Sequence, residues 1–314
     1  MLFLAAPGSG RAQSAGPQNE CCLALLIPVG ARSIALGGTL TARSAPESVF
    51  RNPAGLAGLD EGGFFVHHAE QEFQSTADAF SLLLTLGRAG TMGLSYELFD
   101  NGQIETTDSN NQTTGVLSYR DHLGLVSLGL RVAAGFSVGA SYKLFLSRID
   151  CSGACEGQQV ASTTHGLDVG LRYQPPMFEA LEFGASVLNA PLGVGVKEGG
   201  ERNPLPTRVH VGVTYEALHE FQAGDAISLW LSGELTDEWR SPGSPEPAFG
   251  AELGVQDMVF LRAGYVAGKG LGHGGAVGLG LHYESLSLSL GKPFANTSLD
   301  PQTEPYQVSF GIRF

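Results

Sequence analysis

Long stretches of this chain alternate between apolar and polar residues, and this period of two constrains the fold more than any other feature. In the clearest case Leu286, Leu288 and Leu290 alternate with Ser287 and Ser289. The same pattern recurs along residues 162–174, 206–217, 247–256 and 306–314. Because successive side chains of a β-strand point to opposite faces, the pattern predicts strands with one apolar and one polar face.

Fourteen segments of this kind follow one another from residue 62 onward. They are residues 62–69, 78–87, 91–99, 119–131, 135–148, 162–174, 181–190, 206–217, 226–238, 247–256, 259–267, 274–284, 286–294 and 306–314. Several are 9 to 14 residues long, which exceeds the roughly 5–6 residues common in soluble sheets. A tilted membrane-spanning strand needs about 9–11 residues, so the lengths favour strands that cross a membrane.

Short and long connections alternate between these segments. Tight links such as 87–90 and 256–258 alternate with long polar links such as 100–118 and 191–205. In an antiparallel meander this places the tight turns at one end and the long loops at the other, as in a transmembrane barrel. A soluble β-sandwich would also alternate, but it would not combine long strands with a one-sided loop distribution. We therefore predict an all-β fold, a transmembrane antiparallel up-and-down β-barrel of about 14 strands, because closure pairs every backbone group in lipid.

The composition agrees with this prediction. Only 16% of residues are charged, 44 of 314 are glycine, and the mean hydropathy is +0.05. Strands with one apolar and one polar face average to a hydropathy near zero, and glycine suits crowded inward positions and turns. The longest apolar stretch, residues 21–27, stops at Pro28, far short of the ~20 residues of a spanning helix. The net charge of -13 argues against a nucleic acid as partner.

The N-terminus and one pair of cysteines indicate export. Residues 1–14 resemble the tail of a secretory signal, with a short apolar run and a cleavage-like junction at Ala12–Gln13; an untargeted N-terminus is the alternative. Cys151 and Cys155 lie in a polar CSGAC segment. A local disulfide is favoured in an exported protein, and a metal-binding pair is the alternative, although no second pair stands at zinc spacing.

Charged residues recur on the polar face of the predicted strands. Mixed charges inside a barrel can pair across strands, and the many inward Gly and Ser residues allow a close-fitting interior or a narrow lumen. A structural polar network is the favoured interpretation, and a substrate site is the alternative. The residues predicted to form this luminal network are Lys143, Asp168, Arg172, Glu182, Arg208, Glu234, Glu252, Arg262 and Arg313.

A different pattern precedes the strands. It consists of a Gly-Ala-Arg triplet, a Gly-Gly pair and an Asn-Pro-Ala-Gly-Leu motif. Its residues are Gly30, Ala31, Arg32, Gly37, Gly38, Asn52, Pro53, Ala54, Gly55 and Leu56. This pattern resembles the N-terminal signature of the PorV/PorQ family, within the FadL-like group of outer-membrane barrels, and the stretches FGAELGVQDMVFLRAGYVAG, GAVGLGLHYESLSLSLG and YQVSFGIRF resemble that family too. The resemblance implies that residues 15–61 form a hatch inside a fourteen-stranded barrel of residues 62–314.

The Asn-Pro-Ala-Gly-Leu motif suits a compact turn. Pro53 fixes its own φ and lacks a backbone donor. Asn52 can bond the local backbone, and Gly55 is expected to supply a positive φ. Such a turn would fold the hatch against the wall of the lumen.

The last strand ends in an alternating aromatic pattern of Phe310, Ile312 and Phe314. This pattern resembles the signal read by the outer-membrane barrel assembly machinery, which is therefore a predicted partner. The same strand is expected to close the barrel against the first one.

No motif indicates an enzyme or a cofactor. The GxGxxG match at Gly270, Gly272 and Gly275 links two predicted strands instead of opening a helix. No metal is expected either, and His67–His68 is interpreted as a rim or luminal pair. The expected location is the outer membrane of a Gram-negative-type bacterium, in contact with its lipid.

The resemblance implies two classes of function. The first is a PorV/PorQ-type component associated with type IX secretion, which engages secretion-system proteins or exported cargo. The alternative is a FadL-like transporter for small hydrophobic compounds. A structural envelope protein without cargo is a third possibility.

Overall fold

The computed structural model describes residues 20–71, 75–153, 160–193, 196–198, 201–218, 227–268, 273–295 and 305–314. The predicted signal remnant and Cys155 lie outside the described residues. Two short α-helices, α1 (Ala31–Ala35) and α2 (Ser48–Arg51), precede the strands, with 3-10 turns at Leu23–Leu26 and Pro53–Gly58 and another at Gly87–Ala89. None of the described helices is long and apolar enough to cross a membrane.

The strands of the described part of the chain are β1 (Gly63–Glu70), β2 (Thr76–Thr85), β3 (Gly90–Thr107), β4 (Thr113–Ala133), β5 (Phe136–Gly153), β6 (Val160–Tyr173), β7 (Leu181–Pro191), β8 (Val196–Glu198), β9 (Glu201–Asn203), β10 (Arg208–Leu218), β11 (Ile227–Glu238), β12 (Glu246–Val255), β13 (Val259–Val266), β14 (Gly274–Tyr283), β15 (Leu286–Ala295) and β16 (Tyr306–Arg313). All but β8 and β9 form one closed barrel, and those two form a separate hairpin. The predicted fourteen-stranded antiparallel barrel is confirmed.

Closure depends on the pairing of the first strand with the last. Strand β1 pairs antiparallel with β16 from Gly63↔Arg313 to Glu70↔Tyr306, and β1 also pairs with β2 along its whole length. The sheet therefore has no open edge at this seam, which is the condition that a lipid environment imposes on a spanning sheet.

The outer face of the barrel is apolar and the inner face polar, as the alternation predicts. On β15, Leu286, Leu288 and Leu290 are exposed on the outside, whereas Ser289 is buried. On β16 the outward Phe310 alternates with inward polar side chains. The exposed apolar belt is the surface that lipid covers in a barrel of this kind.

Strands β3, β4 and β5 correct the predicted boundaries. Residues 100–118 are not one long loop, because β3 continues to Thr107 and β4 begins at Thr113. After a register shift between Asp100 and Gln103 the two strands keep pairing up to Thr107↔Thr113. Residues 100–107 and 113–118 are mostly polar, with Ile104, Val116 and Leu117 as exceptions, so the regular alternation that marks the other strands is missing. The β8–β9 hairpin lies within the predicted loop 191–205. It was not predicted either, because the sequence of its strands is also mostly polar.

Residues 20–62, which we call the hatch, fill the lumen. Leu40, Val49 and Leu56 in this segment are fully buried, and the Pro53–Gly58 turn packs against β4, β5 and β6. Helix α1 packs against β13 to β16, so the hatch contacts opposite sides of the barrel wall. We call the barrel ends with the tight turns and with the long loops the turn end and the loop end.

The apolar belt predicts a depth-dependent cost for a charge. Leu290→Arg places a cation midway along β15, where we expect the free energy of unfolding to fall by about 2–4 kcal/mol. Leu286→Arg, beside the turn at the end of the same strand, should cost only about 0–1 kcal/mol. Denaturant unfolding in lipid vesicles measures both, and equal costs would contradict the assignment of the belt.

Candidate functional site in the barrel lumen

Glycines on the inner wall let the hatch backbone approach the strands closely. A Cβ on Gly139 of β5 would collide with the backbone of Pro53 and Ala54, and one on Gly264 of β13 would collide with the backbone nitrogen of Gly37. A Cβ on Gly184 of β7 would likewise collide with the carbonyl oxygen of Thr41. The abundance of glycine in the strands therefore reflects room for the hatch.

Asn52 ties the hatch to itself and to the wall. Its Nδ2 donates to the carbonyl of Thr41 at 2.6 Å and to that of Leu171 on β6 at 3.0 Å. Its Oδ1 accepts from the backbone nitrogen of Ala54 at 3.1 Å, which caps the Pro53–Gly58 turn. The side chain is fully buried, so each of these bonds replaces one that water would otherwise make.

Gly55 has a different role from the one predicted. It is not among the residues with positive φ, whereas Gly37 and Gly38 have φ of 64° and 78°. A Cβ on Gly55 would lie 2.5 Å from Ser48 Oγ and 2.7 Å from the Arg43 carbonyl. Close packing within the hatch, and not a left-handed backbone, requires glycine at this position.

The Gly-Ala-Arg triplet fastens the hatch to the seam side of the barrel. The Ala31 nitrogen donates to Ser309 Oγ on β16 at 2.8 Å. The Ser309 hydroxyl lies 2.8 Å from Nδ1 of the inward His67. His68 pairs instead with Asp78 at 2.7 Å, because neighbouring residues of a strand face opposite ways.

The carboxylate of Glu252 on β12 lies close to three arginine side chains. It lies 2.8 Å from Arg32 Nη2, 3.6 Å from Arg43 Nη2 and 2.6 Å from Arg262 Nε. The Arg43 guanidinium also lies 3.8 Å above the ring centre of Trp230. Burial lowers the pKa of Arg43 in the hatch to about 10, with the charge of Arg32 acting in the same direction, so the group keeps its charge at neutral pH.

Glu234 on β11 forms a second anchor. It lies within ion-pair distance of Arg51 at the end of α2 and 3.2 Å from Nδ1 of His210. It also accepts a hydrogen bond from the Thr41 backbone nitrogen at 3.1 Å. Arg43 and Arg51 were not predicted as site residues, although basic residues in a segment expected to lie against a wall that carries Glu234 and Glu252 are a usable signal.

The remaining predicted luminal residues form separate pairs. Lys143 lies 2.9 Å from Asp168, Arg172 lies 2.9 Å from Glu182, and Arg208 lies 2.7 Å from Glu20 of the hatch. Arg313 Nη2 lies 3.4 Å from Nδ1 of His282. The network is thus a set of local pairs around the lumen and not one continuous cluster.

The predicted assembly signal lies on the outside of the barrel, and one of the two predicted disulfide cysteines lies within the described residues. Phe310, Ile312 and Phe314 are all exposed on the outer face at the turn end of the barrel, and their recognition by the assembly machinery stays a prediction. Cys151 is disulfide-bonded, and its predicted partner Cys155 lies outside the described residues.

The hatch leaves a cavity of about 300 Å³ at the loop end. Residues 25–29 of the hatch and the side chain of Phe50 supply an apolar lining, and Leu188 and Val266 add to it from the wall. Charged groups border it as well, among them Arg51 and Arg208. A volume of this size accommodates a small organic molecule.

Further cavities lie toward the turn end. One of about 400 Å³ borders Gly58, Arg131 and Phe136, and another of about 400 Å³ borders Pro46 and Arg313. The hatch separates both from the loop-end cavity. Among the described residues no group of three or more His, Cys, Asp or Glu side chains is arranged to hold a metal ion.

Several solved structures share this architecture. The toluene transporter TbuX of Ralstonia pickettii superposes with a TM-score of 0.56 at 15% identity, over 90% of this chain and 97% of TbuX. The monoaromatic hydrocarbon channel CymD gives 0.56 at 14% identity, over 92% and 97%. A FadL homologue of Pseudomonas aeruginosa gives 0.54 at 11% identity, over 91% and 96%. No curated protein matches the chain.

The closed barrel and its apolar belt define the chain as a β-barrel of the outer-membrane type, and its fold is the one seen in TbuX. The sequence belongs to a family described as uncharacterised protein family UPF0164, whose model matches residues 4–202. That match covers the hatch and the first half of the barrel.

The ion-pair geometry predicts how the hatch is held. Glu252→Gln removes the carboxylate that three arginines share, and we expect the free energy of unfolding to fall by about 3–5 kcal/mol, as for one partner of a buried pair. Asp100→Asn breaks the exposed pair with Arg120 and should cost at most about 1 kcal/mol. Denaturant unfolding distinguishes the two, and a Glu252 effect as small as that of Asp100 would refute the anchoring role.

The close approach at Gly139 predicts a steric effect on the hatch. Gly139→Ala should loosen the Pro53–Gly58 turn and speed its cleavage by added protease, because the new Cβ meets hatch backbone. Gly124→Ala on neighbouring β4 is the matched control, since nothing lies within 4 Å of a Cβ there. Equal cleavage rates in the two variants would contradict the predicted packing.

Proposed function

We propose that this barrel passes small hydrophobic compounds across the outer membrane. The observation that carries the proposal is the loop-end cavity of about 300 Å³, whose lining from the hatch is the apolar stretch Leu25 to Val29. The apolar part of this lining offers a place where a hydrophobic molecule leaves water favourably, and the charged groups lie beside it.

The fold likeness supports the same function. TbuX is named as a toluene transporter and CymD as a monoaromatic hydrocarbon channel, and both share the fold of this chain. They favour transport over the type IX secretion role that the PorV/PorQ resemblance implies. PorV/PorQ membership, the secretion role and secretion-system or cargo partners stay predictions from that resemblance alone.

The hatch has a direct part in this proposal. It forms one wall of the loop-end cavity and separates that cavity from those at the turn end. Passage through the lumen therefore requires the hatch to move, whereas binding in the loop-end cavity does not. A compound would first bind in the loop-end cavity and would cross the lumen only after the hatch has moved.

Filling the cavity tests the proposal. Ala248 on β12 is buried and borders the cavity, so Ala248→Phe should occupy its space and lower the initial rate of toluene uptake several-fold. Ala251 lies on the outer face of the same strand, so Ala251→Phe adds the same volume toward lipid and should leave uptake unchanged. Uptake of labelled toluene is measured in a Gram-negative host that lacks other hydrocarbon channels.

Two results would contradict the proposed transport. One is uptake by cells with the wild-type barrel that does not exceed uptake by cells without it. The other is an equal effect of the Ala248 and Ala251 substitutions. Heat-modifiable migration on gels verifies that each variant forms a closed barrel.

A further inference from the structure

One buried carboxyl group in the hatch has an unused acceptor. Glu47 immediately precedes α2 and is only 7% exposed. Its Oε2 is buried and accepts no hydrogen bond from the described residues. The side chain borders the loop-end cavity and also a pocket of about 30 Å³ beneath it, so it lies at the inner end of the cavity.

The backbone at Gly30 is shaped around this side chain. Gly30 has a φ of 95°, and a Cβ there would lie 2.7 Å from Glu47 Cγ. Another residue at position 30 would push the carboxyl group away from the cavity. Glycine in the first motif of the hatch therefore keeps Glu47 in place.

The other charged groups that border the cavity have partners. Arg51 pairs with Glu234, Arg208 with Glu20 at 2.7 Å, and His273 with Glu246 at 3.5 Å. Two buried side-chain atoms that border the cavity, Glu47 Oε2 and His273 Nδ1, have no hydrogen-bond partner among the described residues, and of these two residues only Glu47 also lacks an ion pair with them. A buried acceptor without a donor is costly, and a ligand that supplies the donor would remove that cost.

We infer that the loop-end cavity binds small neutral compounds with an apolar body and a hydroxyl group, and that this hydroxyl donates to Glu47. The inference rests on the proposed function and narrows its substrate class. The apolar body would lie against residues 25–29 and Phe50. The apolar lining disfavours a charged ligand, because burying a charge without a partner is costly.

The size of the expected effect follows from the hydrogen bond. Supplying a donor to a buried acceptor that is otherwise unpaired changes an affinity by about tenfold or more. A hydrocarbon of the same shape has no hydroxyl group to donate, so its affinity would gain nothing from Glu47. The cavity should therefore distinguish a phenol from its methyl isostere.

Calorimetry on the full chain in detergent tests the inference with 4-methylphenol and p-xylene, which differ by a hydroxyl in place of a methyl group. In Glu47→Met, we expect the preference for 4-methylphenol over p-xylene to fall about tenfold relative to wild type. Comparing the same ratio between variants cancels the partitioning of both compounds into detergent. Glu47→Gln keeps the shape and one acceptor oxygen, so it should retain part of the preference.

Glu246→Met is the matched control, because Glu246 borders the same cavity but has a partner in His273. It should leave the preference at the wild-type value. An unchanged ratio in Glu47→Met, or an equal loss of both compounds, would overturn the inference while wild-type p-xylene binding still supports the proposed function. If the wild-type chain binds neither compound, the proposed function fails together with the inference.

Discussion

The pairing of β1 with β16 is the contact on which the rest of the molecule depends. It closes the sheet and creates an enclosed lumen. It also pairs the backbone groups at the edges of the two strands, which would find no hydrogen-bond partner in lipid. The hatch is held by groups from widely separated strands, including Leu171 on β6, Glu234 on β11 and Ser309 on β16. These groups surround one segment only because the sheet returns to its first strand.

Charge complementarity positions the hatch in that lumen. Arg32, Arg43 and Arg51 in the hatch meet Glu234 and Glu252 on the wall. Removing such charges from water is costly, so the pairs are weak evidence for net stability. They do, however, penalise every position of the hatch that leaves one of them unpaired. The glycines of the wall add a steric condition, because the backbone of the hatch fits only where no Cβ intervenes.

The cavity at the loop end results from the same arrangement. The apolar stretch from Leu25 to Val29 lines the same cavity as Arg51, which pairs with Glu234 on the wall, so a hydrophobic compartment adjoins an ionic one. Glu47 lies where the two compartments meet and has an acceptor that no described residue satisfies. The hatch thus provides both the barrier and the binding surface of the proposed transport function.

The sequence by itself determined the class of fold, because long strands with one apolar and one polar face, joined alternately by short and long links, fit a membrane barrel and not a soluble sandwich. Leu288 and Ser289 illustrate this, and the regular alternation of short and long links set the strand number. The sequence did not reveal the extensions of strands β3, β4 and β5 beyond their predicted ends, because these mostly polar stretches lack a regular alternation. Only the tertiary structure decided that Arg43 and Arg262 share Glu252, that Gly55 serves packing, and that Glu47 faces a cavity. Residues far apart along a barrel sequence become neighbours through strand register and hatch position, and neither is visible in a local pattern.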